Sequence, residues 1–289
     1  MIVLIDAGNT RVKAGWVNAR TGERETDPIA LTHDNLDQLS HWLGKLPATP
    51  VKALGVNVAG DVVAAAIEDV FHLHDCPIEW VKGQEEALNV TNTYDNPVQL
   101  GPDRWLSMLG LAHRPHPQIS ENVGEIAQGV FPPIILASFG TATTIDTLVV
   151  DVARSAPNSI RYTFKGGTIL PGPALMKTSL AEGTANLPEA HSEPTAYPTH
   201  THQAISTGVA AAQAGAVLRQ WLIGLEYYGH GPLVYSAGGA WPMVQEETRR
   251  LLHFTQQQLG QPPTPIEWLG TPVLDGLSAL ALQSSATCT

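Results

Sequence analysis

The chain has 289 residues, 43% of them apolar, and its 27 acidic side chains outnumber 16 lysines and arginines for a formal net charge of -11. The length allows a large core or two ordinary domains, and the acidity without any basic run argues against a nucleic-acid binder. Two cysteines without CxxC spacing support neither a zinc knuckle nor a disulfide framework, no segment has the length and apolarity of a membrane span, and the chain reads as reduced and cytoplasmic.

Ile2 to Ile5 is a continuous apolar run that suits a buried strand; it has no basic leader and stops at Asp6, so it does not read as a signal peptide. Ala7-Gly8-Asn9-Thr10 is turn chemistry, and Val12 to Val17 reads as a second strand. Asp34 is placed to cap a helix carrying Leu36, Leu39, Trp42 and Leu43 at helical spacing. Val51 to Val58 reads as a strand, Ala59 to Phe71 as a helix, Ile78 to Val81 as a short strand and Asp103 to His113 as a helix after Gly101-Pro102. Residues 114–133 change to a proline- and glycine-rich composition without periodicity, which reads as a linker or excursion.

The opening pattern then returns. Ile134 to Ala137 is an apolar run, Phe139-Gly140-Thr141 a turn, and Thr143 to Val150 a strand. The two hairpins align without a gap, Ile5 to Thr10 over Ala137 to Ala142, each heading a half-chain of strands followed by helices. A duplicated α/β domain with a ligand between its halves would show this pattern. Further on, Ser159 to Thr163 reads as a strand, Lys165 to Gly172 as a loop, Leu175 to Leu180 and Gln203 to Gly224 as helices, Leu233 to Ser236 as a strand and Pro272 to Leu282 as a last helix.

Asp6 at the end of a buried strand is costly unless it is paired, hydrogen-bonded or bound to a metal. Gly8, Asn9 and Thr10 can turn backbone N–H groups toward an anion, Thr10 adds a hydroxyl and Lys13 reaches the same region. A carboxylate beside a phosphate implies Mg²⁺ between them. The same residues also make an ordinary Asx-turn, and from the motif alone both readings stand. Gly140 and Thr141 offer the same groups in the second copy, and Gly238-Gly239 after a strand would allow a nucleoside to approach the backbone. Asp103 and Arg104 at a helix start pair an acid with a cation; the helix dipole favours the Asp there but not the Arg. Asp103 accepting a hydroxyl proton and Arg104 holding an anion would suit catalysis. The pairs His72/His74 and His200/His202 lack an evident third metal ligand. No P-loop, no GxGxxG after the first strand and no GxSxG elbow occurs.

Together, Asp6-Ala7-Gly8-Asn9-Thr10, Leu100-Gly101-Pro102-Asp103-Arg104, Phe139-Gly140-Thr141-Ala142-Thr143-Thr144, Gly166 to Gly172 and Thr184-Ala185-Asn186-Leu187-Pro188 resemble the type III pantothenate kinases, some of which carry the label Bvg accessory factor. The resemblance implies an α/β fold of two duplicated actin-like, ribonuclease-H-like domains, at 1–117 and 133–289 about a linker at 118–132, and a homodimer. It implies ATP-dependent phosphorylation of pantothenate, the first step of coenzyme A synthesis. By motif, Asp103 is the general base, and Tyr94, Gly101, Pro102, Arg104 and Thr184 line the pantothenate site. Asp6 organises Mg²⁺, Gly8, Asn9, Thr10, Lys13, Gly140 and Thr141 hold the ATP phosphates, and a monovalent cation, K⁺ or NH₄⁺, is required.

One position departs from the family pattern. Where the second loop has D-x-G-T-A, this chain has Ser138-Phe139-Gly140-Thr141-Ala142, so a neutral hydroxyl replaces an acid linked to cation binding. Asp146 is near in sequence and would supply charge if its strand pointed it that way. The departure favours an accessory protein that binds nucleotide or pantothenate with weak or no catalysis; the intact Asp6, Asp103 and Arg104 favour the kinase. A third reading is an actin-like kinase of another small hydroxylated acid.

Overall fold

The computed structural model describes residues 1–116, 131–152 and 160–286; the expected linker at 118–132 falls almost wholly outside them. The strands are β1 (Ile2–Ala7), β2 (Val12–Val17), β3 (Ile29–Leu31), β4 (Lys52–Asn57), β5 (Ile78–Trp80), β6 (Glu86–Ala87), β7 (Val90–Asn92), β8 (Ile134–Phe139), β9 (Ala142–Val152), β10 (Ile160–Pro171), β11 (Leu233–Ala237) and β12 (Glu267–Leu269). The α-helices are α1 (Asp37–Leu43), α2 (Asp61–His72), α3 (Pro102–His113), α4 (Pro173–Gly183), α5 (Thr201–Tyr228), α6 (Gln245–Gln258) and α7 (Pro272–Ala286). The chain forms two compact units, one from Met1–Pro115 with the segment that starts at Thr271, the other from His116–Gly270.

In the first unit the strand order is β3-β2-β1-β4-β5. The β1–β2 and β2–β3 pairs are antiparallel, while β1–β4 and β4–β5 are parallel. Val3, Ile5 and Ala7 of β1 pack with Leu39 of α1 and with Ile67 and Phe71 of α2. The other face of β1 meets α7, so the strand is covered on both sides. That explains the unbroken apolar run, which a half-exposed strand would have interrupted.

In the second unit the strands run β12-β11-β8-β9-β10. Here β8–β9 and β9–β10 are antiparallel, and β8–β11 and β11–β12 parallel. Strand for strand this repeats the first unit, with β8 in the place of β1. The repeat suspected from two short hairpins is therefore a repeat of a whole ribonuclease-H-like topology. Ile135, Ala137 and Phe139 of β8 pack with Val217 and Trp221 of α5 and Leu252 of α6.

Three expectations are corrected. Asp34 caps no α-helix: it lies in a 3₁₀ turn, His33–Asn35, and α1 begins at Asp37 without a side-chain cap. Backbone bonds from Asn35 N–H to Thr32 and from Leu39 N–H to Leu36, each 3.0 Å, take up amides a cap would serve. Lys165 to Pro171 is not loop but the second half of β10, which passes a bulge between Phe164 and Gly167 with Gly166 at φ 91°. The paired glycines mark that bulge rather than a chain reversal. Finally, 133–289 is not one domain, because α7 belongs to the first unit. Its Gly276 lies so close to α3 that a Cβ there would be 2.0 Å from the Leu106 carbonyl oxygen, and a Cβ on Gly110 of α3 would be 2.4 Å from the Pro272 carbonyl oxygen.

Candidate active site

The first unit carries the β1–β2 turn. Asp6 is the next-to-last residue of β1 and stands directly opposite Lys13 of β2, so the two side chains share one face of the sheet. Asp6 is half-buried. Burial pushes its pKa up to about 6; Lys13 pulls it down and the nearby Asp103 pushes it further up. Asn9 and Thr10 are exposed at the turn. The Gly8 N–H closes the turn on the Arg11 carbonyl at 3.1 Å, and a Cβ at Gly8 would sit 3.2 Å from that oxygen. Gly8 therefore offers closeness of approach rather than its own amide. Its carbonyl is held 2.9 Å from His33 Nε2. No motif flags His33, because the contact is tertiary.

Pro102 at the first position of α3 pre-sets the helix backbone, and Asp103 follows in the first turn. Burial pushes the Asp103 pKa up, against hydrogen bonds from the Arg104 and Asp103 N–H groups and the charge of Arg104. Arg104 is buried, donates from Nη1 to Tyr94 Oη at 2.8 Å and lies over the Tyr94 ring. Gly101 is hemmed in by the acid itself: a Cβ there would be 2.7 Å from Asp103 Oδ1. The first unit thus brings Asp6, Lys13, Tyr94, Gly101, Pro102, Asp103 and Arg104 into one charged neighbourhood.

Ser138, Gly140, Thr141 and Thr184 lie in the second unit. Ser138 occupies in β8 the place of Asp6 in β1, and its opposite residue is Thr144. The acid–cation pair of the first copy is thus replaced by two neutral hydroxyls, so removal of the acid leaves no cation stranded. Asp146, buried, is two residues beyond Thr144 on β9 and faces the same side of the sheet as Ser138. Gly167 makes room for it, since a Cβ at Gly167 would fall 2.3 Å from Asp146 Oδ1. The Gly140 N–H closes its turn on the Ala142 carbonyl at 3.0 Å, one residue sooner than Gly8 closes on Arg11, so the second hairpin turn is one residue shorter than the first. Thr184 is exposed; its hydroxyl donates to the Leu180 carbonyl at 2.8 Å and accepts from Leu187 N–H at 3.2 Å.

Two weaker signals resolve as structural. Gly238 is required by φ 90° and by contact with the Phe139 backbone, where a Cβ would be 2.2 Å from the carbonyl oxygen. Of the histidine pairs, His200 caps α5 and His74 bonds Ser40. No group of three metal-binding side chains occurs among the described residues.

A twice-used ribonuclease-H-like sheet with a glycine turn after its first strand, and an acid beside an arginine at a helix start, define an actin-like enzyme of the kinase class. The chain belongs to the type III pantothenate kinase family, whose sequence model matches residues 2–222. It is 47% identical over 290 residues to the type III pantothenate kinase of Bordetella pertussis, covering 99% of this chain and 100% of that protein. It is 49% identical over 285 residues to that of Bordetella petrii, covering 98% of each. Among solved structures, a Baf family transcriptional activator from Campylobacter jejuni shares the fold, with a TM-score of 0.51, 15% identity and coverage of 98% of this chain and 99% of that one.

Proposed function

We propose that the protein transfers the terminal phosphoryl group of ATP to the primary hydroxyl of pantothenate, the first step of coenzyme A synthesis. The observation that carries this reading is the half-buried Asp103 beside an Arg104 fixed by Tyr94, in a chain whose family and curated relatives are named for that activity. Asp103, its pKa raised by burial, accepts the hydroxyl proton as the oxygen attacks the γ-phosphorus and the bond to ADP breaks. Arg104 and Tyr94 hold the pantothenate carboxylate, with Gly101 and Pro102 keeping the wall of the site slim and Thr184 adding a hydroxyl. Asn9, Thr10 and Lys13 on the first loop, and Thr141 on the second, hold phosphate oxygens; Gly8 and Gly140 keep the approach open. Such a reaction depends mainly on positioning and charge neutralisation.

Mg²⁺ fits at Asp6, whose half-buried carboxylate resists ionisation and would be relieved by a cation; bound there, the ion would neutralise phosphate charge. At the second loop Ser138 and Thr144 offer neutral oxygens and Asp146 a carboxylate on the same face. This supports binding at that loop with a dependence on K⁺ or NH₄⁺ altered by Ser138. A homodimer accords with the family resemblance.

The test is a coupled assay with ATP, Mg²⁺ and pantothenate, run with and without K⁺ or NH₄⁺. Turnover is expected, and Asp103→Asn should lower kcat by about 10²–10⁴-fold while ATP binding persists. Ligand binding without turnover would point to an accessory protein, and turnover with a different hydroxy acid alone would reassign the substrate.

A further inference from the structure

Gln213 is completely buried in α5, a helix whose other inward residues are mostly apolar or small. A buried amide costs free energy unless it is hydrogen-bonded. Its Nε2 donates to the Pro171 carbonyl at 2.8 Å and contacts Met176 Sδ at 3.1 Å, but its Oε1 has no partner among the described residues. A half-satisfied amide is a poor device for stability alone.

The carbonyl that Gln213 holds belongs to the residue before Gly172, and Gly172 is the seat of the second loop. The Gly172 N–H donates to the Thr141 carbonyl at 2.9 Å. A Cβ on Gly172 would fall 2.0 Å from the Gly140 oxygen and 2.7 Å from the Thr141 oxygen. Both loop carbonyls are therefore turned toward Gly172. In a planar trans peptide the next N–H points the opposite way, so the Thr141 and Ala142 amides face away from that seat. Where these two donors stand depends on the Pro171–Gly172 corner, and Gln213 ties the corner to α5.

We propose that Gln213 is a positioning residue for the ATP phosphates, acting through Pro171 and Gly172 on the Gly140–Thr141 loop. The inference rests on the kinase reading given above. Gln213→Met keeps the length and approximate volume of the side chain and removes the donor. Gln213→Asn keeps the amide but is one methylene too short to reach Pro171. Both are tested by calorimetric titration of MgATP, by separate KM values for ATP and pantothenate, and by Tm.

The expected result for either variant is an ATP Kd and KM raised about fivefold, the order of one lost hydrogen bond, with the pantothenate KM unchanged. Wild-type ATP affinity in a folded variant overturns the proposal. An equal rise in both KM values with a lowered Tm also overturns it, since that is the mark of a packing role. If Gln213→Met fails to fold, Gln213→Asn is read by the same criteria. A wild-type protein that binds no MgATP removes the kinase reading and this inference with it, whereas wild-type binding with unaffected variants removes only the inference.

Discussion

Gly101→Ala isolates the placement of the proposed base from its chemistry. Gly101 has φ -50° and ψ 127°, which alanine adopts without strain. Folding stability should therefore change by no more than about 1 kcal/mol. The added Cβ, however, would stand 2.7 Å from Asp103 Oδ1, roughly 0.6 Å inside an ordinary carbon–oxygen contact. The N–H groups of Asp103 and Arg104 favour its charged form, and a carboxylate that yields to the new Cβ changes its placement against them. A misplacement of about 1 Å costs on the order of a hundredfold in rate, so a shift of this size should lower kcat about tenfold, or about 1.4 kcal/mol of barrier. Hydrogen bonds from those N–H groups lower the Asp103 pKa, so weakening them raises it further. Because a base must be ionised to act, the acid limb of the pH–rate profile should move to higher pH. The assay is the coupled kinase reaction across pH 4–8 with Tm measured in parallel. Wild-type kcat and an unmoved acid limb in a folded Gly101→Ala protein would refute the placement of Asp103.

Tyr94→Phe removes the acceptor of Arg104 Nη1 and should raise the KM for pantothenate by about 10- to 100-fold, the order of one hydrogen bond to a charged group, with the ATP KM unchanged in initial-rate assays. Ser138→Asp restores a carboxylate at the second loop and should change the activation by K⁺ and NH₄⁺; identical titrations for variant and wild type would remove Ser138 as the controlling position. Without Mg²⁺ or ATP, the Asp6 carboxyl ionises in the unfolded chain near its ordinary value but in the fold only at about 6. Stability should therefore fall as pH rises through that window, by ~2 kcal/mol after allowance for partial solvent access. Asp6→Asn should reduce the stability difference between pH 4 and pH 7.5 in urea melts by about that amount, leaving the part due to other buried carboxyls such as Asp103.

The buried strands were legible because burial on both faces leaves long apolar runs, as in Ile2 to Ile5 and Ile134 to Ala137. The short elements were not. Residues of β3, β6, β7 and β12 are few and largely half-exposed or polar, so they carry no period to read. Gly166-Gly167 was misleading because glycine signals a turn and a bulge alike; the strand register and the Asp146 carboxylate distinguish them. Asp6, Tyr94, Asp103 and Arg104 were legible as a set through their motifs. The supports of the loops, His33 and Gln213, were invisible. Each acts on a backbone carbonyl distant in sequence, and such a contact leaves no local pattern.

The glycine contact between α3 and α7 sets an order of assembly. The helix that carries Asp103 in its first turn is pressed on its Gly110 side by a segment that starts at Thr271. During synthesis the first unit must wait, with part of its core uncovered, until the second unit has been made and α7 has emerged. A chain cut before Thr271 retains every proposed site residue, yet lacks the partner that α3 packs against. Such a truncation should lose activity through the unit farthest from the cut in sequence, and α7 supplied as a separate peptide is the natural attempt at rescue.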